Sequence, residues 1–196
     1  MVDSETRWRL VRALKQKPAQ PEPELEFRAV RFEDLPQIRD IYNYFIRNTV
    51  ITFDDKPLDL NYWQDKQEML AKFELPFIVM VKGLEVMGFA YVAPWRAKAG
   101  YLKIVENQIY LLPSATGKKL GGKLMKALLD ACEAHGIKEV IAVIADRGAG
   151  ASIALHKKFG FKDNGHLANV AVRFGRPIGS HLYSLQLSSR WLPERP

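Results

Sequence analysis

The stretch VENQIYLLPSATGKKLGGKLM, residues 105–125, most restricts what this chain can fold into. Residues 105–112 are rich in β-branched and aromatic side chains and read as a strand. Pro113 and Ser114 open a loop, and a helix start follows that carries Gly117, Gly121, Gly122 and Lys118, Lys119, Lys123. A strand that feeds such a loop leaves free backbone N–H groups and a positive dipole end at the helix N-terminus, where a phosphate can sit. The unit is therefore a candidate cofactor cradle. Glu106, just upstream on the strand, is a carboxylate placed to act as a general base on whatever the cradle delivers. Taken alone, the same residues also fit an ordinary strand-to-helix turn beside a solvated lysine face.

A chain of 196 residues with 47% hydrophobic and 26% charged residues suits one globular domain with a sizeable core. It holds no run of about 18 apolar residues, so no membrane span is expected. The first residues, MVDSETRWRL, lack the apolar centre of a secretory signal. The single cysteine, Cys132, lies in an apolar helical pattern and reads as a small buried hydrophobe. A cytoplasmic, reducing setting is expected. The formal charge of +7 favours anionic partners. The crowding of Lys118, Lys119, Lys123 and Lys126 beside a glycine loop suits a compact polyphosphate better than a nucleic-acid duplex, which asks for a broader basic stripe.

In order, residues 4–17 read as a short amphipathic helix and 18–26, PAQPEPELE, as an extended linker. Residues 1–25 are thus an N-terminal helical extension and linker, and 26–196 the main domain. A short strand over 27–31 precedes helices over 34–48 and 60–73. A hairpin spans 76–95 with Gly83 in its turn, a loop covers 95–103, and a strand runs over 104–112. A helix over 117–135, a strand over 138–145, a helix over 149–158 and strands over 161–167 and 182–187 complete the chain. This alternation indicates one α/β domain with a mixed sheet, α+β by some schemes. Among His135, His156, His166 and His181 no metal-ligand spacing is evident.

The segments IYNYFIRNTVITFDD, APWRAKAGYLKIVENQIYLLP, ASIALHKKFGF and VAVRFGR, in that order, resemble the phosphinothricin and methionine sulfoximine branch of the GNAT N-acetyltransferases. The resemblance covers roughly residues 27–187. It implies a mostly antiparallel sheet of about seven strands flanked by four helices. It also implies acetyl-CoA as acetyl donor, a small amino acid or analogue as acceptor, direct attack without an acetyl-enzyme, and a homodimer. Glu106 falls on the family's Val-Glu carboxylate, the base that frees the amine's lone pair. Backbone groups of Ile109, Tyr110 and Leu111 fall where the family pairs with the pantetheine arm. The segment Thr116, Gly117, Lys118, Lys119, Leu120, Gly121, with Gly122 after it, falls on the pyrophosphate loop. His156 lies where the family places a group near the leaving sulfur, as a proton donor or as packing. Arg96 and Lys98 fall on a pair that holds the substrate's acidic group, and Phe53 and Trp95 on pocket walls.

The chain departs from the family pattern at several of these positions. Thr116 replaces the leading Arg or Gln of the phosphate loop and Lys119 its middle glycine, whose lack of a Cβ lets phosphate approach. Ala149 stands for a usual Asn, and Pro177 and Gly179 for a Trp and an Asp. The leading expectation is an acetyl-CoA-dependent N-acetyltransferase. The alternatives are a non-catalytic module of the same fold with weak or no CoA binding, and a nucleic-acid-associated protein using the positive charge.

Overall fold

The computed structural model describes residues 5, 8–9, 23–101 and 103–187. Most of the helix expected over 4–17 and residues 18–22 of the expected linker lie outside these residues; the linker's last two residues, Leu25 and Glu26, belong to the first strand instead, because they pair with Lys82 and Val81. Seven strands form one sheet, in the order β1-β2-β3-β4-β5-β7-β6. They are β1 (Leu25–Ala29), β2 (Phe77–Lys82), β3 (Glu85–Pro94), β4 (Ile104–Leu111), β5 (Glu139–Ala145), β6 (Lys162–Arg173) and β7 (Arg176–Gln186). All neighbouring pairs are antiparallel except β4 with β5. The described α-helices longer than one turn are α1 (Leu35–Asn48), α2 (Leu60–Lys72), α3 (Leu120–Ala134) and α4 (Gly150–Lys158).

Strand alternation sends side chains into two cores, one on each face of the sheet. On one face α1 and α2 cover Val79, Phe89, Tyr91 and Tyr110. On the other, Leu124, Leu128 and Cys132 of α3 pack with Val105, Val140 and Ala142. The apolar positions of α1, Leu35, Ile38, Ile41, Tyr42 and Ile46, are buried and follow the helical period. Trp63 of α2, fully buried, is the hub of an aromatic cluster, with ring contacts of 5.3–6.3 Å to Tyr42, Tyr62, Phe77, Phe89 and Tyr91. The β2–β3 pair carries a bulge at Met80/Val81. Gly88 is needed beside it, because a Cβ there would stand 2.8 Å from the Tyr110 carbonyl oxygen.

Two elements differ from the sequence expectation. Helix α3 starts at Leu120 rather than 117, because Gly117 and Lys119 adopt positive φ and cannot continue a right-handed helix. The last two strands form one long hairpin, β6 running on to Arg173 and β7 starting at Arg176. Phe174 (φ 47°) and Gly175 (φ 72°) make its two-residue turn, the left-handed conformation that joins twisted strands. Gly165, Pro177 and Gly179 weaken the local strand signal, and the β6–β7 ladder, with Gly165↔Leu182, Ala171↔Ile178 and Val172↔Pro177 among its rungs, overrides it.

Helix α1 is anchored at its start by Asp34. Arg28 of β1 donates to it through both terminal nitrogens, at 2.7 and 2.9 Å, and the Arg31 N–H donates at 2.7 Å. Burial alone would push this carboxyl up. The Arg28 guanidinium and the Arg31 amide more than offset that and hold it below its ordinary value. The contribution of Asp34 is therefore present above the unfolded carboxyl value of about 4 and is lost as pH falls through the lower folded value. Asp34→Ala removes the bidentate partner of Arg28, leaving it the longer contact with Glu26 at 3.7 Å, and should destabilise by about 3 kcal/mol. A thermal melt at neutral pH should read this as a Tm lower by roughly 10 °C, and the gap should narrow as pH falls.

Candidate active site

The parallel ladder between β4 and β5 is short. It holds Ile104↔Glu139, Val105↔Val140 and Glu106↔Ile141, and stops there. Beyond Glu106, β4 stays paired with β3 as far as Leu111↔Gly88, while β5 follows β7. The two strands part, and the edge of β4 that faces β5 is left without a strand partner from Asn107 onwards. A cleft opens there, lined by Asn107, Ile109, Tyr110, Ala142, Ala145 and His156 among others. Ile109, Tyr110 and Leu111 thus present main-chain groups to which an extended ligand can add as a further strand.

Glu106, Gln108 and Tyr110 share the face of β4 that looks towards α1 and α2. Gln108 Nε2 donates to Glu106 Oε1 at 3.0 Å, and the Tyr110 hydroxyl donates to Gln108 Oε1 at 3.0 Å. Burial pushes the Glu106 carboxyl up; the Gln108 hydrogen bond and the charges of Arg96 and Lys66 oppose it without cancelling it. A carboxyl set in this way is better matched to taking a proton near neutral pH than an exposed one. Tyr110 and Tyr42 are both pushed up by burial and remain phenols. Their rings meet edge to face at 4.9 Å, and Tyr42 donates to Asp54 Oδ2 at 2.5 Å. Asp54 lies in the α1–α2 connection, which Asn43 fastens by donating to the Leu58 carbonyl and accepting from its N–H, both at 2.8 Å.

On the opposite face, buried Asn107 meets buried His156 of α4. The His156 Nδ1 faces the Ser152 carbonyl at 2.8 Å, which accepts a proton and offers none. That fixes the proton on Nδ1, so Nε2 accepts from Asn107 Nδ2 at 2.9 Å. Burial holds His156 below its ordinary value, so the ring is neutral at pH 7. The Oδ1 of Asn107 is buried and has no hydrogen-bond partner, a polar atom left for a ligand in the cleft.

The loop after β4 is open. Thr116 donates from its hydroxyl to the Pro113 carbonyl at 2.8 Å, Gly117 has φ 75°, and nothing lies within 4 Å of where its Cβ would be. Lys119 caps α3 with a left-handed backbone (φ 61°, ψ 11°), makes no side-chain cap and is exposed. It holds the backbone shape that glycine adopts freely, at a cost of about 1–2 kcal/mol. The amides of Leu120, Gly121 and Gly122 stand in the first turn of α3, where no intrahelical acceptor exists. Exposed Lys118 and Lys119 flank them with positive charge.

Arg96 stacks on Trp95 at 4.6 Å and acts on Glu106 through its charge. Lys98 is exposed in the turn after β3, and Phe53 is 40% exposed; the structure gives neither a contact with Glu106. Three residues absent from the sequence reading join the site. Lys66 of α2 lies over the Tyr62 ring at 5.2 Å and the Tyr91 ring at 5.7 Å and adds charge beside Glu106. Gln108 holds the carboxylate, and Asn107 holds His156. Tyr62 and Lys66 are one helical turn apart, a spacing visible in the sequence, but nothing in it tells which side of α2 faces the strand. Gly179 also finds its reason: a Cβ there would stand 2.5 Å from Asp146 Oδ2 and 2.6 Å from His166 Nε2. These two atoms, 3.0 Å apart, form a pair in that space.

Residues 38–161 match the acetyltransferase (GNAT) family, and the chain belongs to it. It is 35% identical to the L-methionine sulfoximine/L-methionine sulfone acetyltransferase of Pseudomonas aeruginosa over 79% of this chain and 90% of that protein. It is 31% identical to the phosphinothricin N-acetyltransferase of Alcaligenes faecalis over 83% and 82% of the two chains. The fold superposes on a GNAT superfamily phosphinothricin acetyltransferase from Sinorhizobium meliloti, solved in complex with acetyl-CoA. The TM-score is 0.78 and the identity 30%, covering 83% of this chain and 88% of that one. The seven-stranded sheet and its four helices are the arrangement the sequence led one to expect. Among the described residues no helix is long and apolar enough to cross a membrane, and no group of His, Cys, Asp and Glu could hold a metal.

Two outcomes follow from this geometry. Long-range proton–nitrogen NMR at pH 7 should find His156 protonated on Nδ1 only, with titration beginning below the ordinary histidine range. Lys119→Gly should relieve the left-handed strain and stabilise the fold by about 0.5–1 kcal/mol after the entropy of glycine is set against it, a Tm rise of about 2 °C.

Proposed function

We propose that the chain is an N-acetyltransferase that moves the acetyl group of acetyl-CoA to the amino group of a small amino acid or analogue, of the phosphinothricin or methionine sulfoximine kind. The observation that carries this reading is the position of Glu106 at the last rung of the β4–β5 ladder, where the sheet opens. The cleft fits the donor. It has an unpaired β4 edge at Ile109 to Leu111 for an extended arm, the unpartnered Asn107 Oδ1 inside, and the open amides of Leu120 to Gly122 with Lys118 and Lys119 for a pyrophosphate. Bound there, acetyl-CoA supplies an activated thioester carbonyl.

This chain's own residues do the rest. An amine at neutral pH is an ammonium and has no lone pair, so a base must take a proton before the nitrogen can attack. Glu106, raised by burial and reached from the α1/α2 face, takes that role. The acceptor's acidic group is assigned to Arg96 and Lys98, and Lys66 adds a cation within the same field. Phe53 is assigned to the wall of that pocket. Of the two roles open to His156, its hydrogen bonds favour positioning: Nε2 accepts from Asn107 and has no proton to give. A homodimer in a reducing compartment completes the reading. Buried, unpaired Cys132 and the likeness to the family support it, and a monomer mass on sedimentation would remove the dimer.

Glu106→Gln should lower kcat with a methionine sulfoximine or phosphinothricin acceptor by about 10²- to 10⁴-fold, with acetyl-CoA affinity by calorimetry unchanged. Unchanged turnover would overturn the assignment. In the parent protein kcat/KM should rise with pH through the raised Glu106 value, since only the ionised carboxylate accepts the proton. That limb should vanish in the variant.

A further inference from the structure

Glu106 carries two oxygens, and the structure treats them differently. Oε1 accepts from Gln108 Nε2 at 3.0 Å, and Gln108 Oε1 in turn accepts from the Tyr110 hydroxyl at 3.0 Å. The three residues stand at alternate positions on one face of β4, so a single rigid strand sets their spacing. We propose that Gln108 is a positioning residue that pins Oε1 of Glu106 and leaves Oε2 as the atom that takes the proton, with Tyr110 locking the amide the right way round. This rests on the reading of Glu106 as base.

The orientation follows from donor and acceptor chemistry. An ionised carboxylate only accepts, so the amide must turn its NH2 to Glu106. Its carbonyl oxygen then needs a donor, and Tyr110, buried and held as a phenol, provides one. A turned amide would set oxygen against carboxylate and leave the Tyr110 proton without its acceptor. The chain of bonds therefore has one consistent direction while Glu106 is ionised. In the transfer step an N–H bond of the ammonium breaks, its proton passes to Oε2, and the electron pair stays on nitrogen. Gln108 exchanges no proton itself.

The groups around Glu106 come from several elements: Arg96 after β3, Lys66 on α2, Tyr91 on β3 and Tyr110 on β4. Gln108, itself neutral, hydrogen-bonds the carboxylate directly, and the Gln108→Met replacement keeps length while removing both hydrogen bonds.

The test is the pH profile of kcat/KM for parent, Gln108→Met, Tyr110→Phe and Glu106→Gln, with acetyl-CoA affinity measured alongside. Gln108→Met should move the acid limb to higher pH and lower the plateau by about tenfold or less, with acetyl-CoA affinity unchanged. Tyr110→Phe should move the limb the same way by less, because the amide is still present but free to turn. A limb that stays in place in both variants overturns the role of Gln108, whatever the plateau does. Should Gln108→Met not fold, Tyr110→Phe alone decides between these outcomes. A limb that survives in Glu106→Gln overturns the base assignment instead, and this inference with it.

Discussion

The site depends on the early end of one parallel ladder. Three rungs join β4 to β5, and at Glu106 the strands separate. Nothing in either strand is irregular there. The parting comes from their other neighbours, since β3 holds β4 as far as Leu111 and β7 holds β5 as far as Ala145. Each strand is satisfied on its outer edge and unsatisfied on the inner one, so the sheet keeps its order while exposing a row of backbone groups that in a closed sheet would be paired. The core on the α3 face makes this possible, because it runs beneath both halves, from Met80 and Val92 to Val140 and Tyr183, while the core under α1 and α2 lies on β2, β3 and β4.

Alternation along β4 then divides the chemistry between two faces. Odd-numbered positions meet α3 and α4, where Asn107 and His156 lie beside the cleft. Even-numbered positions meet α1 and α2, where Glu106 sits with Gln108 and Tyr110. One strand thus leaves an edge unpaired from Asn107 to Leu111 and carries the Glu106 carboxylate on one of its faces. The aromatic cluster around Trp63 packs the α1/α2 face of the sheet, and burial on that face raises the Glu106 carboxyl.

Much of this was legible in the sequence. Glu106 stood out because it lies just upstream of the glycine- and lysine-rich loop and on the family's Val-Glu position, and the helix periods of α1 and α3 marked the faces that form both cores. The start of α3 was misjudged since a lysine seldom takes the left-handed conformation found at Lys119, and propensity alone carries it into the helix. The β6–β7 hairpin extends further than the sequence suggests for the opposite reason: Pro177 and Gly179 weaken a strand that its pairing with β6 restores. Lys66 and Gln108 were missed because their contribution is relational. A lysine in a polar helix and a glutamine in a strand carry no chemistry until the fold turns them towards one carboxylate.

Gly179 couples β7 to the end of β5 and to β6 through the space that it leaves free. The space beside it is filled by Asp146 and His166, contributed from the end of β5 and from β6, and paired with each other. Any side chain placed at position 179 would strike that pair and also the Leu167 carbonyl oxygen, 2.6 Å from where its Cβ would stand, so a replacement there forces backbone as well as side chains to move.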